Sequence, residues 1–407
     1  MSIQSEVDKR NHRKIGQELE LFVSMEEAPG MPFYLPKGML LRNELEDFWK
    51  KEHRKAGYQE IRTPIMMKQE LWEKSGHWDH YHENMYFSEV DDQKYAIKPM
   101  SCPGAVLIYK SKRRSYRELP LRYGELGLVH RHELSGSLSG LLRVRSFTQD
   151  DAHLFVREDQ IRSELHKVLD LIDLFYSKFG FDYKVELSTR PEDFMGSVEL
   201  WDKAEGDLEV VLKERGVDYH INKGDGAFYG PKIDFHIMDV LGRSWQCGTV
   251  QLDFQMPEKF ECEYIGEDNA AVRPIMIHRA IYGSIERFMA IIIEHFGGDF
   301  PLWLAPYQVK ILPISEAHIQ YAQGVKSQLE REGFRVEVDD RVEKVGLKIR
   351  EAEIQKVPYM MVIGDKEIKS EAISLRKRKE GNVGMLKIKE VILKLKEEVN
   401  GGVSKAN

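Results

Sequence analysis

Two strand-like segments between residues 128 and 153 carry side chains that can bind a phosphorylated ligand. They flank a loop rich in serine and glycine, so the pattern predicts a β-hairpin. The inner faces of this hairpin present Arg131, Glu133, Arg143, Phe147 and His153. A guanidinium offers a fixed fork of N–H donors to phosphate oxygens, and an aromatic face can stack on a base. The alternative is a hairpin that carries only surface ion pairs.

The same run resembles the second signature motif of class II aminoacyl-tRNA synthetases. That motif consists of an Arg-x-Glu strand, a loop and a return strand with a phenylalanine, which Arg131, Glu133 and Phe147 match. The resemblance implies that Arg131 contacts the α-phosphate of ATP, where negative charge develops as the carboxylate attacks. It also implies that Phe147 stacks on adenine.

A second signature of the class is Gly-x-x-x-Arg at the start of a helix, and Gly283 to Arg287 match it. The resemblance implies that Arg287 holds the γ-phosphate of a bent ATP, with Arg143 beside it. Taken alone, one arginine on a helix is usually an ordinary solvated residue. The implied ATP-binding residues are Arg131, Glu133, Arg143, Phe147 and Arg287, and the implied catalytic residues are Arg131, Arg287, Lys232 and His77.

Three separate segments are similar to threonyl-tRNA synthetases within this class, and each contains one candidate metal ligand. The candidates are Cys102, His153 and His278. The resemblance implies that they bind Zn²⁺ and leave a fourth position open, as in zinc sites that take part in a reaction. In this family L-threonine fills that position through its amino and hydroxyl groups, so valine, which lacks the hydroxyl, is rejected.

The residues alone leave the metal site open, because the chain has 14 histidines and the three candidates are far apart. A lone buried cysteine or histidine is more often a core residue than a ligand. The segment from His77 to His82, with three closely spaced histidines, is a rival cluster. The resemblance instead places His77 near the terminal ribose of tRNA, where it assists proton removal during transfer.

Further matches to the family predict the lining of the same pocket. The resemblance implies that Asp151 accepts a hydrogen bond from the threonine hydroxyl, and that Tyr229 and Lys232 face the amino acid and phosphate. It also implies that three glutamines are polar residues of the pocket lining, namely Gln149, Gln246 and Gln251. Each of these residues also fits an ordinary strand position.

The C-terminal part of the chain carries a basic run from Ser374 to Lys379. From Tyr307 onward there are 20 Lys and Arg against 16 Asp and Glu, a net charge of +4 within a chain of net charge -7. This asymmetry points weakly to a polyanion at this end. The resemblance implies that Arg376 and Glu367 read anticodon bases, since base edges can pair with a guanidinium or a carboxylate. The alternative is a solvated charge run.

The pattern of elements predicts an antiparallel sheet flanked by helices, followed by a small α/β domain. The resemblance implies that the first is the α+β catalytic domain of a class II synthetase and the second an anticodon-binding domain. The predicted domains are an N-terminal extension over residues 1–35, the class II catalytic domain over 36–303 and the anticodon-binding domain over 307–407. Apolar spacing predicts helices over Lys37–Arg54 and Arg279–Phe296 and a strand over Ser146–Phe155. The helix and strand from Lys37 to Pro64 resemble the first class motif, which implies a homodimer.

Composition excludes several other classes of protein. A chain of 407 residues with 42% hydrophobic and 31% charged residues suits a soluble protein of two or three domains. No apolar stretch is long enough to span a membrane, and the first residues do not resemble a secretory signal, so a cytoplasmic location is expected. Three cysteines argue against an extracellular disulfide framework.

Three departures from the family pattern bear on function. Ala105 stands where histidine is common, and Val342 where asparagine is common, which weakens the expectation for tRNA handling. Nothing before Pro29 resembles the N-terminal editing domain of long members, so the chain is interpreted as a short form. Serine keeps the hydroxyl that the metal recognises, so we expect detectable seryl-tRNA in a charging assay at saturating serine.

The resemblance therefore implies a threonine-tRNA ligase that uses ATP, Mg²⁺ and Zn²⁺ and acts on L-threonine and threonine tRNA. Two alternatives stay open. One is a paralogue that activates threonine for a non-tRNA acceptor, and the other is a non-catalytic regulatory homologue.

Overall fold

The computed structural model describes residues 9–401, which form two compact units. One unit contains the described residues up to Val23, Phe33–Leu45 and those from Ile292 onward, and the other contains Ser24–Pro32 and Glu46–Ile291. The α-helices that lie within the described residues are α1 (His12–Glu18), α2 (Pro36–Lys55), α3 (Gln69–Ser75), α4 (His77–Tyr81), α5 (Cys102–Lys110), α6 (Ile161–Phe179), α7 (Val198–Glu214), α8 (Gln255–Lys259), α9 (Ile285–Phe296), α10 (Ile319–Arg331), α11 (Val345–Ile354), α12 (Asp365–Ser370) and α13 (Ile388–Asn400).

The strands form five sheets among the described residues. They are β1 (Phe22–Val23), β2 (Phe33–Tyr34), β3 (Gln59–Glu60), β4 (Met66–Lys68), β5 (Tyr86–Val90), β6 (Gln93–Ile97), β7 (Leu121–His130), β8 (Ser146–Val156), β9 (Tyr183–Ser188), β10 (Tyr219–Asn222), β11 (Lys232–Met238), β12 (Ser244–Asp253), β13 (Tyr264–Ile265), β14 (Ala271–Val272), β15 (Ile275–Ala280), β16 (Val309–Pro313), β17 (Val336–Val338), β18 (Tyr359–Ile363), β19 (Ile373–Lys377) and β20 (Gly381–Leu386).

The largest sheet has eight strands in the order β10-β9-β11-β12-β15-β8-β7-β3. Its central pairs are antiparallel, and only the two edge pairs, β10 with β9 and β3 with β7, are parallel. Helices α6 and α9 pack their apolar sides together, with the rings of Phe179 and Phe288 4.8 Å apart. The predicted antiparallel sheet with flanking helices is therefore confirmed.

The predicted helix over Arg279–Phe296 is wrong at its start. Residues up to Ala280 belong to β15, which pairs with β12 on one side and β8 on the other, and α9 begins only at Ile285. A short run of apolar residues fits a buried strand as well as a helix, and only the pairing with both neighbours decides between them.

The five-stranded sheet has the order β17-β16-β18-β19-β20, with β16 parallel to both neighbours and the remaining pairs antiparallel. Buried residues of α10 and α13, including Val325, Leu329 and Leu395, share one core cluster with the strand residues Val309 and Tyr359. Strands and helices alternate through this part of the chain, so the predicted small α/β domain is confirmed.

The N-terminal residues before α2 contribute their own packing. Ile15 on α1 and Leu19, which directly follows this helix, are buried, and β1 pairs with β2 as a short antiparallel ladder. The first eight residues of the predicted extension lie outside the described residues. No helix within the described part of the chain is long and apolar enough to cross a membrane.

Gly38 on α2 is required by a close approach of the backbone. A Cβ at this position would lie 1.8 Å from the carbonyl oxygen of Leu21, which also accepts a hydrogen bond from the N–H of Leu35. We expect Gly38→Ala to lower the free energy of unfolding by about 1–3 kcal/mol, because the backbone must move. The shift of the denaturant midpoint measures this loss in the free energy of unfolding.

Gly324 on α10 is the matched control, because a Cβ there meets no atom within 4 Å. Gly324→Ala should raise stability by up to about 1 kcal/mol, since alanine has the higher helix propensity. A Gly38→Ala protein at least as stable as the parent would contradict this account.

Candidate functional site

The central strands of the large sheet place several predicted site residues on one face. Alternate residues of a strand point to the same side, and on β8 these include Gln149, Asp151 and His153. β15 pairs with β8 so that His278 lies opposite His153, and β12 pairs with β15 so that Gln251 lies opposite His278. The hydrogen-bond register therefore aligns residues that are far apart in the chain.

Cys102 joins the two histidines from outside the sheet. It is the first residue of α5, where proline occupies the first turn as helix starts favour. Its Sγ, one ring nitrogen of His153 and one of His278 all lie within 4.8 Å of one another. This is the only such group of Cys, His, Asp and Glu side chains found in residues 9–401. The structure thus brings together the three residues that were predicted to bind zinc.

The other polar contacts of the two histidines fit a metal site. His278 Nε2 lies 2.8 Å from Oδ2 of Asp253, and a carboxylate on the second ring nitrogen commonly orients a metal-bound histidine. His153 Nδ1 is buried and has no hydrogen-bond partner in the described part of the chain. A buried polar atom without a partner is unfavourable, and a cation held by these three side chains would satisfy it.

Burial governs the ionisation of this cluster. It raises the pKa of the Cys102 thiol well above its usual value, and the charges of Asp151 and Asp253 add to the effect. It lowers the pKa of His153 well below its usual value, with a smaller contribution from His278. Neutral imidazole is the form that binds metals, and a bound cation favours the thiolate that a metal requires. The residues present therefore fit a divalent metal ion.

The rival histidine segment does not form a ligand group. His77 is fully buried, with Nδ1 2.8 Å from Ser75 Oγ and Nε2 3.8 Å from Cys102 Sγ. Burial lowers the pKa of His77 to about 3. His80 and His82 stack on other aromatic rings, each at a centroid separation of 4.6 Å.

Arg131 is fixed by one hydrogen bond and two aromatic rings. Its Nε donates to the carbonyl oxygen of Pro99 at 3.2 Å. Its guanidinium carbon lies 5.1 Å from the centre of the Phe147 ring and 5.6 Å from that of Tyr81. Such stacking orients a guanidinium plane. The fork of donors is therefore held in a fixed orientation at the wall of a cavity.

Two further arginines are held by neighbouring backbone and side chains. Arg143 Nε donates to Glu133 Oε2 at 2.9 Å. Arg287 donates from Nε to the carbonyl oxygen of Leu142 at 3.1 Å and from Nη1 to that of Gln246 at 3.4 Å. The hairpin loop, β12 and α9 thus meet around the guanidinium of Arg287.

A buried carboxylate orients the turn that leads to Arg287. Asp150 accepts hydrogen bonds of 2.9–3.0 Å from the backbone N–H groups of residues 281–283. Gly283 in this turn has a φ of +79°, and a Cβ there would lie 2.6 Å from the carbonyl oxygen of Cys247, so only glycine fits. The sequence analysis missed Asp150, since nothing in the sequence shows which backbone groups a carboxylate caps.

These residues surround one cavity of about 310 Å³, a size typical of small-molecule sites. The predicted residues that line it are Cys102, Arg131, Glu133, Arg143, Phe147, Gln149, Asp151, His153, Tyr229, Gln246, Gln251, His278 and Arg287. The predicted metal ligands and the predicted phosphate-binding arginines therefore share one cavity.

Three residues that the sequence analysis named lie close to this cavity but do not line it. Lys232 Nζ is 2.6 Å from Asp234 and 3.1 Å from Asp225. His77 is buried next to Cys102. Ala105 is fully buried within α5.

A buried ion pair next to Asp151 also escaped the sequence analysis. Lys98 Nζ donates to Glu125 Oε1 at 2.9 Å and to Thr63 Oγ1 at 2.8 Å, and both charged side chains are almost completely buried. Glu125 lies opposite Asp151 in the β7–β8 pair. Burial raises the pKa of Asp151 to about 8, Glu125 adds to the rise, and Lys98 opposes it. A single lysine and glutamate without fixed spacing give no sequence signal.

The predicted anticodon residues lie on the five-stranded sheet and next to it. Glu367 on α12 accepts hydrogen bonds from the N–H of Gly364 at 2.9 Å and from Ser374 Oγ at 2.7 Å. Burial raises the pKa of Glu367, but these hydrogen bonds outweigh it and leave the pKa below its usual value. Arg376 on β19 has a buried Nε with no partner in the described residues. The side chain of Val342 is highly exposed.

Comparison with known proteins identifies both parts of the chain. Residues 86–296 match the tRNA synthetase class II core domain (G, H, P, S and T), and residues 308–398 match an anticodon binding domain. A crystal structure of the RNA binding domain of threonyl-tRNA synthetase from Cryptosporidium parvum Iowa II superposes with a TM-score of 0.93. It is 42% identical and covers 95% of this chain and 98% of its own.

Curated relatives are also similar over almost the whole chain. The threonine-tRNA ligase of Syntrophomonas wolfei is 60% identical over 398 residues, which are 97% of this chain and 63% of the relative. That of Caldanaerobacter subterraneus is 60% identical over 399 residues, 98% of this chain and 62% of the relative. The chain therefore spans less than two thirds of the length of these relatives.

The ligand cluster predicts the metal content of the purified protein. We expect about one divalent metal ion per chain, and Cys102→Ala or His153→Ala should lower this content at least about tenfold, because the remaining ligands cannot complete the site. Elemental analysis after dialysis measures it. Cys262→Ala is the matched control, since Cys262 is a buried cysteine in an apolar cluster. Full metal content in the Cys102 variant would contradict the assignment.

Proposed function

Because the chain belongs to the threonyl-tRNA synthetase family of class II aminoacyl-tRNA synthetases, we propose that it activates L-threonine with ATP and transfers it to threonine tRNA. The observation that carries this proposal is the single cavity whose walls include three metal-ligand side chains together with Arg131 and Arg287. A metal site for the amino acid and a phosphate site for ATP must adjoin if carboxylate and α-phosphate are to react.

In the activation step the threonine carboxylate attacks the α-phosphorus of ATP, which gives threonyl-adenylate and releases pyrophosphate. Class membership implies ATP and Mg²⁺, and a bound Mg²⁺ would neutralise part of the negative charge of the phosphates. We assign to Arg131 the α-phosphate, where its donors stabilise the charge that develops. We assign to Arg287 and Arg143 the binding of the γ-phosphate, and to the ring of Phe147 stacking on adenine.

Recognition of threonine rests on the cluster of Cys102, His153 and His278. Zinc held there would supply an open Lewis-acid position for the amino and hydroxyl groups of the substrate. Asp151 on the same strand face accepts a hydrogen bond from the hydroxyl group of the substrate. Gln251 Nε2 donates to the carbonyl oxygen of Gly230 at 2.9 Å, which fixes the loop that carries Tyr229 against the cavity. A required hydroxyl contact separates threonine from valine far better than pocket volume does.

The predicted role of His77 in the transfer step stays a prediction. Its ring adjoins Cys102, close to where the activated carboxyl group would lie. Its burial and its low pKa are unfavourable for a general base, because proton transfer is most efficient when the pKa is near the working pH.

The five-stranded domain is proposed to bind the anticodon loop through Arg376 and Glu367. Arg376 is half-buried, and the accessible part of its guanidinium group could donate to a base edge. Glu367 is already hydrogen-bonded to Gly364 and Ser374, so a contact with a base would use the remaining lone pairs of its oxygens.

The predicted domain limits, homodimer and cytoplasmic location stay predictions.

Exchange of labelled pyrophosphate into ATP tests the activation step. We expect threonine to support exchange and Arg131→Ala to lower kcat/KM about 100- to 1000-fold, because a donor to the charge that develops at the α-phosphate is lost. Arg157→Ala is the matched control, since Arg157 follows β8 and pairs with the exposed Asp159; it should change the rate less than about threefold.

Charging of unfractionated tRNA with labelled threonine separates the remaining functions. Exchange together with charging supports the ligase. Exchange without charging would indicate a threonine-activating paralogue with another acceptor, and the absence of both would favour a non-catalytic regulator.

The anticodon domain makes a separate prediction. Arg376→Ala should raise the KM for tRNA about tenfold, because a base contact is lost, and should leave pyrophosphate exchange unchanged. Lys389→Ala, at an exposed position of α13, should change neither. An Arg376 variant with the parental KM for tRNA would exclude Arg376 as a base contact.

A further inference from the structure

A buried carboxylate that the proposed reaction does not use lies next to the cavity. The side chain of Asp234 on β11 is only 2% exposed, and its two oxygens accept four hydrogen bonds. Oδ1 accepts from Gln246 Nε2 at 2.7 Å and Thr249 Oγ1 at 2.8 Å, while Oδ2 accepts from Lys232 Nζ at 2.6 Å and Ser188 Oγ at 3.0 Å. Such complete pairing is what a buried charge requires.

The donors to Asp234 belong largely to the proposed site. Gln246 and Thr249 line the cavity, and Gln246 and Lys232 are predicted substrate contacts. The carbonyl oxygen of Gln246 also accepts a hydrogen bond from Arg287. The carboxylate of Asp234 therefore links Lys232, which lies beside the cavity, with Gln246, whose carbonyl oxygen contacts Arg287.

An irregularity in the strand pairing makes this arrangement possible. Asp234 lies opposite Thr249, but His236 lies opposite Gln246, so Cys247 is an additional residue in β12. In a regular strand Thr249 would share its face with residue 247 and not with residue 246. The bulge places Gln246 on the face of Thr249, as bulges re-aim side chains near functional sites.

The two carboxylates around Lys232 differ in their surroundings. The side chain of Asp225 is 58% exposed, whereas that of Asp234 is 2% exposed. A phosphate that approaches Lys232 can replace the exposed carboxylate, because the pairing of an exposed ion is weak. The buried pair with Asp234 persists and determines where the ammonium group stands.

We propose that Asp234 is a positioning residue for the activation step, and that it holds the ammonium group of Lys232 in the orientation that the substrates meet. This inference rests on the proposed function. It differs from a purely structural role, in which Asp234 would stabilise the sheet and affect catalysis only through the amount of folded protein.

The test measures pyrophosphate exchange for the full chain and for a double-mutant cycle between Asp234→Asn and Lys232→Ala. The amide preserves the volume but presents N–H groups to either the lysine or Gln246. We expect Asp234→Asn to lower kcat about 10- to 100-fold, as expected for charge-assisted hydrogen bonds. The KM for threonine should change less than about threefold, because the metal ligands are untouched. In the Lys232→Ala background, Asp234→Asn should lower kcat less than about threefold.

Asp225→Asn is the matched control, since it removes the exposed partner of Lys232 only; it should change kcat less than about threefold. Multiplicative effects of Asp234→Asn and Lys232→Ala would overturn the proposal, as would parental activity in Asp234→Asn. A loss of activity that only follows the folded fraction, measured by thermal unfolding, would overturn it in favour of a structural role. If the unmodified chain shows no threonine-dependent exchange, the proposed function fails independently of Asp234.

Discussion

The candidate site depends on the hydrogen-bond register of the three strands β12, β15 and β8. This register sets Gln251 opposite His278 and His278 opposite His153. Because side chains alternate between the faces of a strand, a shift by one residue in the β15–β8 pair would turn a metal ligand away from the cavity. The same shift in the β12–β15 pair would turn Gln251 away. The cavity therefore depends on backbone pairing in the sheet, and helices such as α5 add Cys102 to a face that the strands have already defined.

Charge balance is the second constraint on the site. Asp151, Asp253 and the thiol of Cys102 are buried close together, and burial raises the pKa values of Asp151 and Cys102. The buried cations Arg279 and Lys98 oppose the rise in the pKa of Asp151, and Lys98 is itself paired with Glu125. A divalent cation at the ligand cluster would stabilise the ionised thiol and the adjacent carboxylates together. The electrostatics of the cavity thus favour the same metal site that the ligand geometry indicates.

The sequence predicted what depends on local pattern and motif, and missed what depends on pairing. The hairpin of β7 and β8 and the C-terminal alternation of strands and helices followed from periodicity, and the cavity residues followed from motif resemblance. The start of α9 was wrong, because the end of β15 is an apolar run that only its neighbouring strands define. Asp150 and Asp234 were missed, since their roles depend on a turn and a bulge that bring distant residues to them.

The central claim is that the cluster of Cys102, His153 and His278 binds zinc and recognises the threonine hydroxyl through it. X-ray absorption at the zinc edge of the purified chain, with and without amino acid, tests this most directly. The account predicts one sulfur and two imidazole ligands from the protein, and a first coordination shell that changes on addition of threonine but not of valine. Two or more sulfur ligands, or a spectrum that threonine leaves unchanged, would contradict it.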